Sequence, residues 1–272
     1  MADLGSERGE QPPAARDIQD AQDAVPEARD ALPGRAAELA TEITEAKGPL
    51  ERRRLSASFA AAARSGARVT GRGVRAARRG FGFGTGWLAG QVMAMAPRLR
   101  VRDQAALREQ FPGKTPDDIA DALIKGASRA SAAVGGAVGG WAALPVPPAL
   151  AAELAAETLA LVGIEIKLVA ELHEVYGMPA TGNVVDRMSA YVAAWAHRRG
   201  VTMAPGGLIL AAGSPVAARL RRRLAARAGR GAFSLGPLLT GAAAGTLINR
   251  RETRRLGQEV RADLRRRALP PG

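Results

Sequence analysis

The order of apolar and polar positions predicts helices almost throughout. Thr115-Pro-Asp-Asp118 has the form of a helix start: Thr as cap, Pro at the first helical position, acids in the first turn. From there Ile119, Leu123 and Ile124 lead into AAVGGAVGGWAALPVPPAL, Ala132 to Leu150, a stretch without charge. Next, AAELAAETLALVGIEIKLVAELHEVYG predicts a long helix from about Pro148 to Tyr176, closed by Gly177. Another helix over about Asn183–His197 places Val184, Met188, Tyr191, Val192 and Trp195 on one face. The chain ends in a basic helix, RRETRRLGQEVRADLRRR. No run alternates with the period of a strand, so the predicted fold class is all-α: a bundle of Gly/Ala-rich helical hairpins.

The N-terminal part reads differently. Residues 1–48 are acidic, contain proline and hold few large apolar side chains, which predicts a disordered acidic tail with one transient helix near Ala36–Ala46. Residues 49–100 form a basic Ala/Gly-rich helical segment. In it Leu55, Phe59, Ala62 and Ala63 share a face, and Gly66, Gly71 and Gly73 weaken the helix. Residues 101–267 make the main helical domain, and 268–272 a short tail.

Four windows lack charge: Gly80–Pro97, Ala130–Ala152, Val201–Ala218 and Gly231–Asn249. The second has 23 residues, and about 20 suffice to cross a bilayer. However, Ala and Gly contribute little transfer energy, and Pro145, Pro147 and Pro148 interrupt the helix. Glu153, Glu157, Glu165, Glu171 and Glu174 follow it, and they are costly in hydrocarbon. Arginines on both sides of the other three windows also disagree with simple spanning. What the small residues do allow is close helix approach. Gly82, Gly86 and Gly90, Gly135 with Gly139, Gly136 with Gly140, and Gly241 with Gly245 each recur at a four-residue step on one face. The expectation is a compact helical domain that packs through these glycines and touches a membrane, with LPVPP turning a hairpin. A wholly soluble bundle fits the same pattern.

Charge sharpens this picture. The net charge of +13 is distributed as −6 over residues 1–50, +8 over 51–80, +2 over 81–130, −2 over 131–200 and +11 over 201–272. Arg219, Arg221, Arg222, Arg223, Arg250, Arg251, Arg254 and Arg255 are candidate contacts with an anionic surface, at roughly 1 kcal/mol each. Nucleic acid would also be met through phosphates, but no aromatics interleave with the arginines. Cysteine is absent, which removes disulfides and thiolate chemistry. MADLGSERGEQ has no apolar h-region, so no cleavable signal peptide is expected.

Catalytic patterns are missing or incomplete. Gly84-Thr-Gly86-Trp-Leu-Ala89 lacks the preceding strand of a dinucleotide site. Gly113-Lys114-Thr115 resembles the end of a phosphate loop, but Arg108 stands where its first glycine should be. Glu171 and His173 are two residues apart, which puts them on different helix faces and disfavours a carboxylate–histidine metal site. No serine sits in a nucleophile elbow. No catalytic, cofactor or metal residue is assigned, and the acids of the long helix are expected to pair with the arginines of the terminal helices or face solvent.

Two segments resemble the EcsC family. PPALAAELAAETLALVGIEIKLVAELHEVYG has that family's proline turn, long acid-bearing apolar helix and terminal Tyr-Gly. GPLLTGAAAGTLINRRETRRLGQEVRADLR is similar to its C-terminal pattern, with Asn249, Thr253, Arg254 and Gly257. The resemblance covers roughly residues 115–267. It implies a bacterial, membrane-associated helical protein without an agreed activity and with no catalytic residues to carry over. The expected function is therefore non-enzymatic, through protein or lipid contacts at the cytoplasmic side of the membrane. The alternative is a soluble cytoplasmic adaptor or nucleic-acid-binding protein that uses the Arg-rich C-terminus.

Overall fold

The computed structural model describes residues 32–69, 85–141, 147–204, 207–210 and 236–268. The described part is an all-α fold. Its helices are α1 (32–45), α2 (Pro49–Val69), α3 (Thr85–Met95), α4 (Gln104–Gln110), α5 (Pro116–Trp141), α6 (Pro147–Val175), α7 (Val184–Arg199) and α8 (Gly236–Ala268). A short 3-10 turn, Ala96–Arg98, follows α3.

Local chemistry sets several boundaries. Thr115 and Asp118 bond reciprocally at the start of α5, side chain to backbone N–H at 3.2 Å in each direction. Asn183 and Asp186 do the same for α7, which Gly200 closes in the left-handed region at φ 62. Gly177 ends α6 at φ 68, and the Met178 N–H reaches back to the His173 carbonyl at 2.9 Å.

Helix α6 is the axis of the bundle, buried on nearly all sides from Ala156 to Leu172. α5 and α8 pack along one side of it. α1 and α3 press on another side, where a Cβ on Gly163 would stand 3.1 Å from Ala40 Cβ and 3.2 Å from Met95 Sδ. A single hydrophobic core joins Ala36, Leu39 and Ile43 of α1 to Leu159, Ile164 and Leu168 of α6, Trp195 of α7 and Leu264 of α8.

Two expectations are corrected here. Residues 32–48 are not a tail, because Ala36, Ala37, Ala40 and Ile43 are at most 1% exposed. Their small side chains let α1 approach α6 closely, and contact of that kind offsets ordering entropy without large side chains. Residues 1–31 lie outside the described residues. No boundary separates 49–100 from 101–267 in the core, since Val92, Met95 and Leu99 belong to the same apolar cluster as α5 and α6. The all-α expectation holds, with one addition: a small antiparallel ribbon, Val201–Ala204 with Gly207–Leu210, paired Val201 to Leu210. It lies against α3.

Candidate functional site

Helix α8 carries two faces with different work. Its inner face is the line Asn249, Thr253, Leu256, Gly257, Val260 and Leu264, all buried. Its outer face holds Arg250, Arg251, Arg254 and Arg255, all exposed, with Leu247 55% exposed one turn before them. Steps of one, three and four residues keep these five within one side of a 3.6-residue helix.

The seam between α5 and α8 is built on glycine. A Cβ on Gly135 would strike the Asn249 side-chain nitrogen and stand 3.1 Å from the Gly245 carbonyl oxygen. One on Gly136 would meet Thr246 Oγ1 at 2.9 Å. More than two turns further along α8, a Cβ on Gly257 would lie 2.7 Å from Ile124 Cγ1 and 3.1 Å from Leu168 Cδ2. Gly135, Gly136 and Gly245 therefore meet at one crossing. Gly90 does not take part: it is exposed, and a Cβ there would meet nothing within 4 Å, which corrects its assignment to helix packing. Gly86 begins α3, Gly139 and Gly140 end α5, and Gly241 lies near the start of α8. Gly82 and Arg219, Arg221, Arg222 and Arg223 lie outside the described residues.

Behind the seam, four helices converge on one carboxylate. Glu165 of α6 accepts from Arg199 Nε at 2.9 Å and also pairs with Arg199 Nη2. Trp195 Nε1 donates to it at 2.9 Å, and Thr253 Oγ1 of α8 lies 3.0 Å away. Ser131 Oγ of α5 is 2.9 Å from Thr253 Oγ1. One hydroxyl carries one proton, so Thr253 donates to the carboxylate and accepts from Ser131. Arg199 also reaches Glu252 at 3.1 Å. Glu165, Arg199, Trp195, Ser131 and Thr253 are all at most 3% exposed. A buried pair of this kind gives little net stability over an apolar replacement, but losing one partner costs about 3–5 kcal/mol.

A second buried cluster lies further along α6. Glu171 pairs with Arg102 and with Lys167, both at 2.6 Å, and Lys167 is also 3.3 Å from Glu45 of α1. The Arg102 guanidinium is opposed by burial, but the Glu171 carboxylate outweighs this and raises its pKa above the ordinary arginine value. At the end of α8, Arg261 clasps Asp117 and Asp121 of α5. Tyr176 donates to Asp117 at 2.6 Å, which holds that carboxyl below its ordinary range. Burial and the same carboxylate push the Tyr176 phenol up to about 12.

Glu165, Lys167 and Glu171 of α6 are thus engaged in holding helices together. Glu165 and Glu171 take neither of the two outcomes expected: both are buried, and their arginines, Arg199 at the end of α7 and Arg102 ahead of α4, do not belong to the terminal helices. Among the described residues, no group of three His, Asp or Glu side chains is placed to hold a metal ion, and no helix is long and apolar enough to cross a membrane. The Arg199 contact is not marked by any motif in the sequence. Its signal was its spacing: four residues after Trp195, it continues the apolar face of α7.

Asn249, Thr253 and Gly257, which carry the C-terminal resemblance, form the inner line of α8, while Arg254 points outward. Compared with family profiles, with characterised proteins and with solved structures, the chain matches none.

Proposed function

We propose that this is a non-enzymatic helical protein that docks on anionic lipid surfaces through the outer face of α8. The observation that carries this reading is the cluster of Arg250, Arg251 and Arg254, exposed beside Leu247 and without an ion pair among the described residues. Arg255 adjoins them and is shared with Glu259 at 2.8 Å. Three unshared arginines near an anionic bilayer contribute roughly 3 kcal/mol together, about a hundredfold in affinity. Leu247 gives the same face an apolar side chain at the depth of the headgroups. The engagement of Glu165, Lys167 and Glu171 in ion pairs supports the non-enzymatic part of the reading. The resemblance to EcsC proteins points the same way.

The test is sedimentation of the full chain with vesicles of phosphatidylcholine alone or with a third phosphatidylglycerol. Binding to the anionic vesicles only, weakened by salt, is expected. The triple variant Arg250→Glu, Arg251→Glu, Arg254→Glu should lose at least a hundredfold in affinity with an unchanged melting curve. Equal binding by the variant overturns the assignment of this face. Retention of duplex DNA without vesicle binding would replace the lipid reading with the nucleic-acid one.

A further inference from the structure

A cleft of about 360 Å³ opens where α4, the turn at residues 111–115, the start of α5 and the end of α6 meet. Its floor is apolar, with Leu107, Ile119 and Val175 each no more than 5% exposed, and Phe111 forms part of the wall. The turn is held tight by the Lys114 N–H, which donates to the Phe111 carbonyl at 3.2 Å, and by Gly113 at φ 72. That backbone shape places Lys114 on the lining, where Arg108 of α4 joins it. Both side chains belong to exposed residues, and neither makes an ion pair among the described residues. Among the described residues, no carboxylate lines the cleft. Asp118, the acid whose charge Lys114 feels, is occupied by the Thr115 hydroxyl at 2.7 Å and the Thr115 N–H at 3.2 Å.

An apolar floor with two cations that make no ion pair among the described residues selects one chemical class. The volume is that of a small-molecule site, and such sites pair a hydrophobic lining with a few polar groups that fix orientation. We propose that this cleft binds a small amphipathic carboxylate. The apolar tail lies on Leu107, Ile119 and Val175, and the carboxylate meets Arg108 and Lys114. A cationic amphiphile of the same length is rejected, because its head would face two like charges. Nothing in this proposal depends on the arginines of α8.

The experiment is titration of the full chain with sodium octanoate, followed by calorimetry and by the fluorescence of a Phe111→Trp variant that still melts normally. Saturable one-to-one binding is expected, with octylamine and the uncharged methyl ester each at least tenfold weaker. Arg108→Glu with Lys114→Glu, both at exposed positions, should weaken octanoate at least tenfold and leave the melting temperature in place. The α8 triple variant should bind octanoate as the natural chain does. Absence of saturable octanoate binding overturns the site. Equal affinity for octanoate and octylamine, or no loss in the double variant, overturns the anionic selectivity.

Discussion

At the scale of a single residue, His173 gives a pH dependence whose sign is fixed by its surroundings. Burial is the largest influence and lowers its pKa from the ordinary 6.5, and the charges of Arg198 and Arg267 push the same way. The Val169 carbonyl, which accepts from Nδ1 at 2.7 Å, and Asp263 oppose them without prevailing. The ring also packs against Tyr191, centroids 5.4 Å apart. With a depressed folded pKa, the unfolded chain binds the proton first. The contribution of this group is therefore complete above pH 6.5 and declines as pH falls through 6.5 toward the folded value, by at most roughly 1.4 kcal/mol per pH unit. In urea titrations, the stability gap between the natural chain and His173→Gln should narrow between pH 7.5 and 5.5. Parallel curves would show that the ring titrates alike in both states.

Among the elements, the seam between α5 and α8 separates glycines that pack from glycines that do not. Gly135→Ala drives a Cβ into the Asn249 side chain and close to the Gly245 carbonyl, where backbone yields little, so a loss of about 1–3 kcal/mol is expected. Gly90→Ala enters open space on a helix and should gain about 0.5–1 kcal/mol through helix propensity. Thermal melts of the two variants check the pair, and equal shifts would sink the close-packing account. The four-residue glycine step was legible in sequence, but it marks Gly90 and Gly135 alike. Only the partner helix distinguishes them, and sequence spacing on one helix says nothing about what faces it. The caps at Thr115 and Gly177 were legible because their chemistry is complete within a few residues. The ribbon at 201–210 was not, since four residues per strand are too few for a period-two pattern to stand out.

For the whole molecule, the largest difference between expectation and structure is α1, and the reason is physical. Composition weighs apolar area, and by area a helix of Ala36, Ala37, Ala40 and Ile43 looks too poor to hold itself in place. Alanine faces instead gain by contact distance, and Gly163 on the receiving helix makes that distance available. The Glu45–Lys167 pair then ties the end of α1 to the Glu171 cluster. The buried node at Glu165 was invisible for a related reason: its partners come from residues 131, 195, 199 and 253, and no local pattern unites them. If α1 is part of one cooperative unit, damage to it must be felt across the bundle. Ile43→Ala empties a fully buried site and should cost about 2–5 kcal/mol. Hydrogen exchange then separates two architectures. In one cooperative bundle, the slow amides of Ile164–Leu172 in α6 lose protection by the full stability difference. In a bundle merely decorated by α1, faster exchange would stay within residues 32–48, and α6 would exchange as before. The shared apolar core and the Lys167 contact favour the first outcome.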